Sequence, residues 1–284
     1  MKNIRPPAVA GMFYPGRPDE LMEQIRSLME SVAKDSITAG NTLPGLSAIT
    51  GISAIIAPHA GYMYSGQTAA HAYCLLAGKE YTTVVVISPS HREYFPGVCI
   101  YEGSAYRTPL GDIEVDTQLR EKMVSEKEGH IFAGTSGHGA EHALEVQLPF
   151  LQMVLKKFKI LPIVVGDQHK SFVYELADKL AVHTGEETLI VASSDLSHFH
   201  TKQKAFLLDS IVENRIKDMD YDGLMKDLEL HRSEACGGGP IAAAMRASKL
   251  KGKNSVLVLN RSDSGDVTGD NTEVVGYLSA VIYS

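Results

Sequence analysis

The chain has 284 residues, of which 44% are hydrophobic and 21% are charged, so it is long enough to bury a large core. Its net charge of −7 argues against a nucleic-acid partner or an anionic membrane surface, because either requires clustered Lys and Arg side chains. No apolar stretch of about 18 residues and no signal-peptide core occurs in the sequence, so we expect a cytoplasmic protein without membrane association.

Predicted helices and strands alternate along most of the chain. An aperiodic opening rich in Pro and Gly leads to an amphipathic helix over residues 19–34, and residues 35–51 are predicted to form a disordered or variable loop. Residues 97–115 indicate an antiparallel hairpin with a turn near 109–112. Further strands are predicted at residues 52–57, 83–88, 160–165, 188–193, 255–260 and 273–282. Further helices are predicted near residues 67–76, 116–126, 141–157, 172–182, 203–217, 222–230 and 240–249.

This alternation determines the expected fold class. Apolar strands separated by helices predict an α/β fold with a mostly parallel central sheet and helices on both faces. No linker-like composition interrupts the pattern, so we predict a single domain over residues 1–284. In such sheets ligands bind beyond the carboxyl ends of the strands, so polar residues that follow a strand are the first candidates for a site.

Histidines follow two of the predicted strands. His59 ends the stretch ISAIIAPH and His91 ends VVVISPSH. Neighbouring parallel strands lie about 4.8 Å apart, so imidazoles at two adjacent strand ends can share one metal ion. The alternative is that each histidine is only a polar cap on its strand.

Cys236 opens the sequence CGGGP, which places its thiol at or just before a helix N-terminus. The helix dipole and free N–H groups are expected to lower the pKa of such a thiol. As a ligand, the thiolate would complete a His₂Cys set suited to Fe(II), Cu or Zn. As a nucleophile, it would attack a carbonyl beside an oxyanion hole formed by the glycine-rich turn. A small residue required for close helix packing is the third interpretation.

A third strand end carries the sequence SSDLSHFH, with Asp195 and His198 three residues apart. An acid and an imidazole at a strand-to-helix turn suit proton transfer or the orientation of a metal ligand. Asp195 could instead be a helix N-cap, which is a common role for Asp at this position.

The segment HGAEHALEVQLPF is predicted to begin a helix. His138 with His142, and Glu141 with Glu145, are then spaced to share a helix face. Because the predicted helix begins within this motif and a glycine interrupts it, the pattern favours acid–base or orienting roles for His142 and Glu145 over metal ligation.

Several motifs, in order along nearly the whole chain, resemble the Memo family (mediator of ErbB2-driven cell motility). They are RPPAVAGMFYP, APHAGYMYSG, SPSH, EHALEVQLPF, SSDLSH, EACGGGPI and VVGYLSA. The resemblance implies a fold similar to class III extradiol dioxygenases, non-haem iron enzymes that open catechol rings with two histidines and a glutamate at the metal. It also implies a metal pocket formed by His59, His91 and Cys236, and catalytic residues lining it at His142, Asp195 and His198.

The same resemblance implies a cofactor and partners. Iron as Fe²⁺ is the expected metal, with copper or zinc as alternatives, and a thiolate in place of the usual carboxylate would change the charge and redox behaviour of the site. Prokaryotic relatives resemble partners of a radical-SAM protein system, which implies a protein partner beside an unidentified small-molecule substrate.

Together these features predict a metal-dependent, dioxygenase-like oxidoreductase in which His198 or His142 moves protons. Two other functions remain open. A binding or signalling scaffold, which the resemblance to a eukaryotic phosphotyrosine-peptide binder suggests, would use Arg92 and Arg107 as a basic rim. A cysteine hydrolase would use Cys236 as nucleophile and His198 as base.

Overall fold

The computed structural model describes residues 3–38, 49–124 and 129–284. The strands in these ranges are β1 (Ile4–Arg5), β2 (Ala54–Ala57), β3 (Thr83–Pro89), β4 (Val98–Tyr101), β5 (Ala105–Thr108), β6 (Gly111–Glu114), β7 (Ile131–Gly134), β8 (Lys159–Val165), β9 (Thr188–Ser193), β10 (His198–His200), β11 (Ser255–Asp263) and β12 (Val274–Tyr283). The helices are α1 (Pro18–Thr38), α2 (Tyr62–Cys74), α3 (Thr117–Met123), α4 (Leu148–Val154), α5 (Lys170–His183), α6 (Lys202–Lys217), α7 (Tyr221–Glu229), α8 (Gly238–Leu250) and α9 (Gly265–Thr268).

The large sheet is mixed around a parallel centre. Its strands run in the order β10-β12-β2-β9-β3-β8-β4-β7, with β11 paired to β12. The central strands β2, β9, β3 and β8 are parallel, whereas β12 pairs antiparallel with β2, and β4 pairs antiparallel with β8. The predicted α/β class is confirmed, and antiparallel strands flank the parallel core that the alternating pattern indicated.

Helices cover both faces of this sheet because the central strands are apolar on both sides. In β2, Ile55 and Ala57 pack with residues of α1, α2 and α4, while Ala54 and Ile56 pack with residues of α3 and α5 to α8. All of β2 and β3 is buried, as expected for strands covered on both faces. Fully burying one isoleucine side chain stabilises a fold by about 1.5–3 kcal/mol, so these two layers fix the carboxyl edge of the sheet in place.

The predicted hairpin over residues 97–115 is wrong in its first half. Val98–Tyr101 joins the large sheet, and only Ala105–Thr108 and Gly111–Glu114 form a hairpin, in a separate small sheet with Ile4–Arg5. The physical reason is burial, because Val98–Tyr101 is buried throughout, whereas Ile113 is the one buried residue of Gly111–Glu114.

Two other boundaries differ from the prediction. The helix predicted from residue 141 begins only at Leu148, after a 3₁₀ turn over Glu145–Gln147, because the Glu141 carboxylate accepts the N–H groups of the two residues that follow it. Residues 35–38 extend α1, residues 39–48 of the predicted variable loop lie outside the described residues, and residues 49–51 belong to no helix or strand. Among the described helices, none has the length and apolar character needed to cross a membrane.

Candidate metal centre

The strand ends that carry the predicted ligands do converge, but in a different order from the expected one. His59 follows β2 and His91 follows β3, and β9 lies between these two strands in the sheet. The expectation that the histidines follow adjacent strands is therefore wrong. Asp195, just beyond β9, occupies the gap between them, because the chain returns to the middle of the sheet after α5.

His59, His91 and Cys236 each offer a ligand atom within 4.8 Å of the others. The Cys236 Sγ lies 3.2 Å from His59 Nε2, and the rings of His59 and His91 meet edge to face with centroids 5.2 Å apart. His59 is 1% exposed whereas His91 is exposed, so the cluster opens to solvent on the His91 side.

Two hydrogen bonds hold His59. Its Nδ1 lies 2.9 Å from Ser193 Oγ, and its backbone N–H donates to Asp195 Oδ1 at 2.7 Å. Burial lowers the pKa of His59 to about 3, and repulsion by His91 contributes. The imidazole is therefore neutral at physiological pH, which is the form that binds metals.

Glu141 orients His91, a role that sequence spacing did not predict. One carboxylate oxygen lies 3.0 Å from His91 Nδ1, and the other accepts the His91 backbone N–H at 2.5 Å. Burial alone would raise the pKa of Glu141, but the His91 ring and the backbone N–H groups of Ala143 and His91 outweigh it and lower the pKa to about 2. A histidine whose Nδ1 bonds a carboxylate keeps Nε2 for a metal, an arrangement common in metal sites.

Two hydrogen bonds hold Cys236 beside Asp195. The Asp195 N–H donates to Cys236 Sγ at 3.2 Å, and the Cys236 N–H donates to the Asp195 carbonyl oxygen at 3.2 Å. Gly237 must be glycine for this approach, since a Cβ there would lie 2.2 Å from the Ser193 carbonyl oxygen. The glycine run therefore brings α8 close enough to β9 for the thiol to reach His59.

The thiol does not have the low pKa that its place before a helix suggested. Burial raises the pKa of Cys236 above its ordinary value, and the negative charge of Asp195 adds to the effect. Hydrogen bonds from backbone N–H groups, including that of Gly237, lower the pKa less than burial raises it. The N–H groups of Gly237, Gly238 and Gly239 donate to Ser194 Oγ, the Ala235 carbonyl and Gln168 Oε1. These partners also leave no oxyanion hole in the glycine turn.

The three predicted catalytic residues lie at different distances from this cluster. Asp195 is buried, with Oδ2 3.9 Å from His59 Nε2, and it caps no helix. The His142 ring centroid lies 4.8 Å from that of His91 and 5.4 Å from that of His59. Burial lowers the pKa of His142 to about 4, with repulsion by His59 as the next cause.

His198 lies further out, at the start of β10 instead of at the predicted strand-to-helix turn. It lines a cavity of about 890 Å³ that reaches the metal-ligand cluster at Cys236 but not at His59 or His91. The lining combines apolar side chains of Leu196, Met225 and Leu228 with charged ones such as Lys226 and Glu229, and it includes Ser233, whose hydroxyl is buried without a partner.

Glu145 and His138 do not belong to the cluster. The Glu145 carboxylate is buried against Arg5 and accepts the N–H groups of Ala8 and Val9 and the Tyr14 hydroxyl. The predicted acid–base or orienting role for Glu145 is therefore wrong, because its carboxylate anchors the N-terminal segment. Arg5 also donates to the backbone carbonyls of His138 and Glu141, so this segment braces the loop that orients His91.

The donor set fits a metal. Two imidazoles, each with Nδ1 occupied by a protein partner, and a thiol whose sulfur lies 3.2 Å from one of them match the softness of Fe(II), Cu or Zn. A second group, His91, Glu141 and His142, also has close ligand atoms, but Glu141 Oε1 already accepts two backbone N–H groups. Its hydrogen bonds with His91 indicate that Glu141 orients His91.

The fold and the cluster together define a class of protein, an α/β protein with a candidate His₂Cys metal centre at the carboxyl edge of its sheet. Residues 5–281 match the sequence profile of the family described as Memo-like protein. The chain belongs to this family.

Curated relatives match this chain over nearly their whole lengths. A MEMO1 family protein of Methanobrevibacter smithii is 37% identical over 98% of this chain and 99% of its own. A MEMO1 family protein of Aeropyrum pernix is 38% identical over 96% and 98%. The crystal structure of an uncharacterized protein from Escherichia coli K12 matches 81% of this chain and 99% of its own at 13% identity with a TM-score of 0.50, which indicates a similar fold alone.

Proposed function

We propose that the chain is a metal-dependent, dioxygenase-like oxidoreductase that holds Fe(II) with His59, His91 and Cys236. The observation that carries the proposal is the convergence of these three ligand atoms within 4.8 Å, at the edge of the sheet where α/β proteins bind ligands. The Ser193 partner of His59 Nδ1 and the Glu141 partner of His91 Nδ1 support it, because both leave an Nε2 atom for the metal.

A bound redox metal would supply electron transfer and an open coordination position for a small molecule. The chain's own residues would supply the remaining functions. Cys236 would give up its proton on metal binding and balance the charge of the ion. His142 lies beside both ligand histidines, so it is placed to exchange a proton with a molecule at the site.

Asp195 and the cavity beside Cys236 complete the proposed site. Burial raises the pKa of Asp195, and its Oδ2 faces His59, so this carboxyl can hold or release a proton close to the metal ligands. The volume of about 890 Å³ suits a small organic molecule, and His198 and Cys236 both line the cavity. A substrate of that size is therefore proposed to approach from the Cys236 side.

Metal analysis of anaerobically purified protein tests the proposal. We expect about one iron per chain in wild type, and its loss in His59→Ala. The control is His130→Ala, which removes a histidine held by Glu175 on the exposed surface. Iron and copper at background in wild type, unchanged by His59→Ala, would contradict the proposal.

The two other functions lose support from the same structure. A phosphopeptide site would need Arg92 and Arg107 together, but Arg107 pairs with Asp112 at 2.6 Å on the exposed hairpin. A cysteine hydrolase would need a reactive thiolate and an oxyanion hole, but burial raises the pKa of Cys236 and the glycine N–H groups already have partners.

A further inference from the structure

We infer that Ser193 and Gln147 are positioning residues that hold His59 as the tautomer with its proton on Nδ1, leaving Nε2 as the atom that binds the metal. The effect of this tautomer on metal binding rests on the proposed metal centre. The hydrogen bonds from which we infer the tautomer are formed by the chain's own residues. Ser193 and Gln147 are both fully buried, so water cannot replace either partner.

The orientation of the Gln147 amide follows from its neighbours. Its Nε2 lies 2.9 Å from the Pro58 carbonyl oxygen, which can only accept a hydrogen bond. Its Oε1 lies 2.6 Å from the Tyr73 hydroxyl, which donates. A flipped amide would place two oxygen atoms against each other at the Pro58 contact, so the NH₂ group must face Pro58 and Ser193.

The direction of the Ser193 hydrogen bonds then follows. The hydroxyl has one hydrogen, and the Ala143 carbonyl oxygen at 2.7 Å can only accept it. The two lone pairs of Ser193 Oγ remain for Gln147 Nε2 at 2.8 Å and His59 Nδ1 at 2.9 Å. His59 Nδ1 must therefore be the donor.

The opposite tautomer would require an unfavourable contact. If the Ser193 hydroxyl donated to His59 Nδ1, its oxygen would lie 2.7 Å from the Ala143 carbonyl oxygen with no hydrogen between them. Two buried acceptors at that distance repel, and leaving a buried polar group unsatisfied costs about 1–3 kcal/mol. With the proton on Nδ1, the bare Nε2 faces the Cys236 thiol at 3.2 Å.

One segment of the chain thus orients both ligand histidines. Glu141 accepts a hydrogen bond from Nδ1 of His91. Two residues later, the Ala143 carbonyl accepts a hydrogen bond from the Ser193 hydroxyl and thereby orients that hydroxyl. The Ser193 oxygen in turn accepts from Nδ1 of His59. Gln147, four residues further on, holds Ser193 from the other side. The segment over residues 141–147 is therefore a shared support for the two imidazoles.

Nitrogen NMR of metal-free protein labelled with ¹⁵N-histidine tests the inference at pH 7.5. The resonances of His59 are assigned by their loss in His59→Gln. We expect wild-type His59 to carry its proton on Nδ1. In Ser193→Ala we expect the signal to move toward the Nε2–H tautomer and the affinity for Fe(II) to fall about 10- to 100-fold.

The matched control is Ser248→Ala, which removes another fully buried hydroxyl, bonded to Ser53 instead of a histidine. It should change neither the tautomer nor the affinity. A proton on Nε2 of wild-type His59, or a Ser193→Ala protein with unchanged tautomer and affinity, would overturn the inference. The wild-type spectrum decides even if Ser193→Ala does not fold. A wild-type chain with the Nδ1–H tautomer that binds no metal would overturn the proposed function and leave the tautomer assignment standing.

Discussion

The sulfur of Cys236 lies 3.2 Å from Nε2 of His59, although 177 residues separate them in the sequence. The imidazole is fixed by the end of a central strand, and the thiol by the glycine turn that precedes α8. Since both atoms are metal donors, a metal centre in this fold would depend on their proximity.

Glu141→Gln should weaken metal binding by about 10- to 100-fold, because the amide cannot accept from His91 Nδ1 and from three backbone N–H groups as a carboxylate does. The affinity is measured by anaerobic Fe(II) titration. Glu175→Gln is the control, since Glu175 makes the same kind of contact to His130 at the protein surface. Equal affinities in both variants would contradict the orienting role of Glu141.

Gly237→Ala should displace Cys236 from His59. The added Cβ would lie 2.2 Å from the Ser193 carbonyl oxygen, a backbone atom that cannot rotate away. We expect a loss of about 1–3 kcal/mol in the free energy of unfolding, measured with urea, together with weaker Fe(II) binding. Gly139→Ala is the control, because its Cβ would meet nothing nearer than 3.9 Å. If both variants behave like wild type, the close packing at Gly237 is not required.

The stability of the metal-free protein should fall as the pH drops from about 6.5 toward 3, in part because of His138. Burial lowers the pKa of this imidazole to about 3, so below its ordinary value of 6.5 the unfolded chain binds a proton that the folded chain does not. Each pH unit in this window then costs about 1.4 kcal/mol per such group.

His138→Gln tests this contribution. His138 Nε2 lies 3.1 Å from the Cys99 carbonyl and Nδ1 contacts the Tyr106 hydroxyl, and a Gln side chain can also donate and accept. The free energy of unfolding of the variant should depend less on pH between 6.5 and 4, although His59 and His142 maintain part of the slope. Parallel curves for wild type and variant would show that His138 does not contribute.

The sequence predicted the fold class and the positions of the histidines, because both follow from local patterns. Apolar runs mark buried strands, and a polar residue directly after such a run must lie at the edge of the sheet. The order of strands is not local. Insertion of β9 between β2 and β3 places Asp195 between His59 and His91, and no pattern within either strand indicates it.

The supporting residues were harder to predict than the ligands. Ser193 lies in a motif that drew attention to Asp195 and His198, yet its partner His59 is 134 residues away. Glu141 was predicted to lie on a helix, but its carboxylate binds His91 and breaks the helical pattern. Local position likewise gave the wrong direction for the pKa of Cys236, because the decisive cause is burial by distant segments.

The electronic absorption spectrum of anaerobically prepared, metal-loaded protein shows whether the Cys236 sulfur binds the metal. With Co(II) as a spectroscopic substitute for iron, wild type should show an intense sulfur-to-metal charge-transfer band that is absent in Cys236→Ser and retained in Cys74→Ser, which removes a thiol packed near Met29 on the other face. That result places the Cys236 sulfur on the metal. A wild-type spectrum without the band, or a band that survives in Cys236→Ser, would contradict the account.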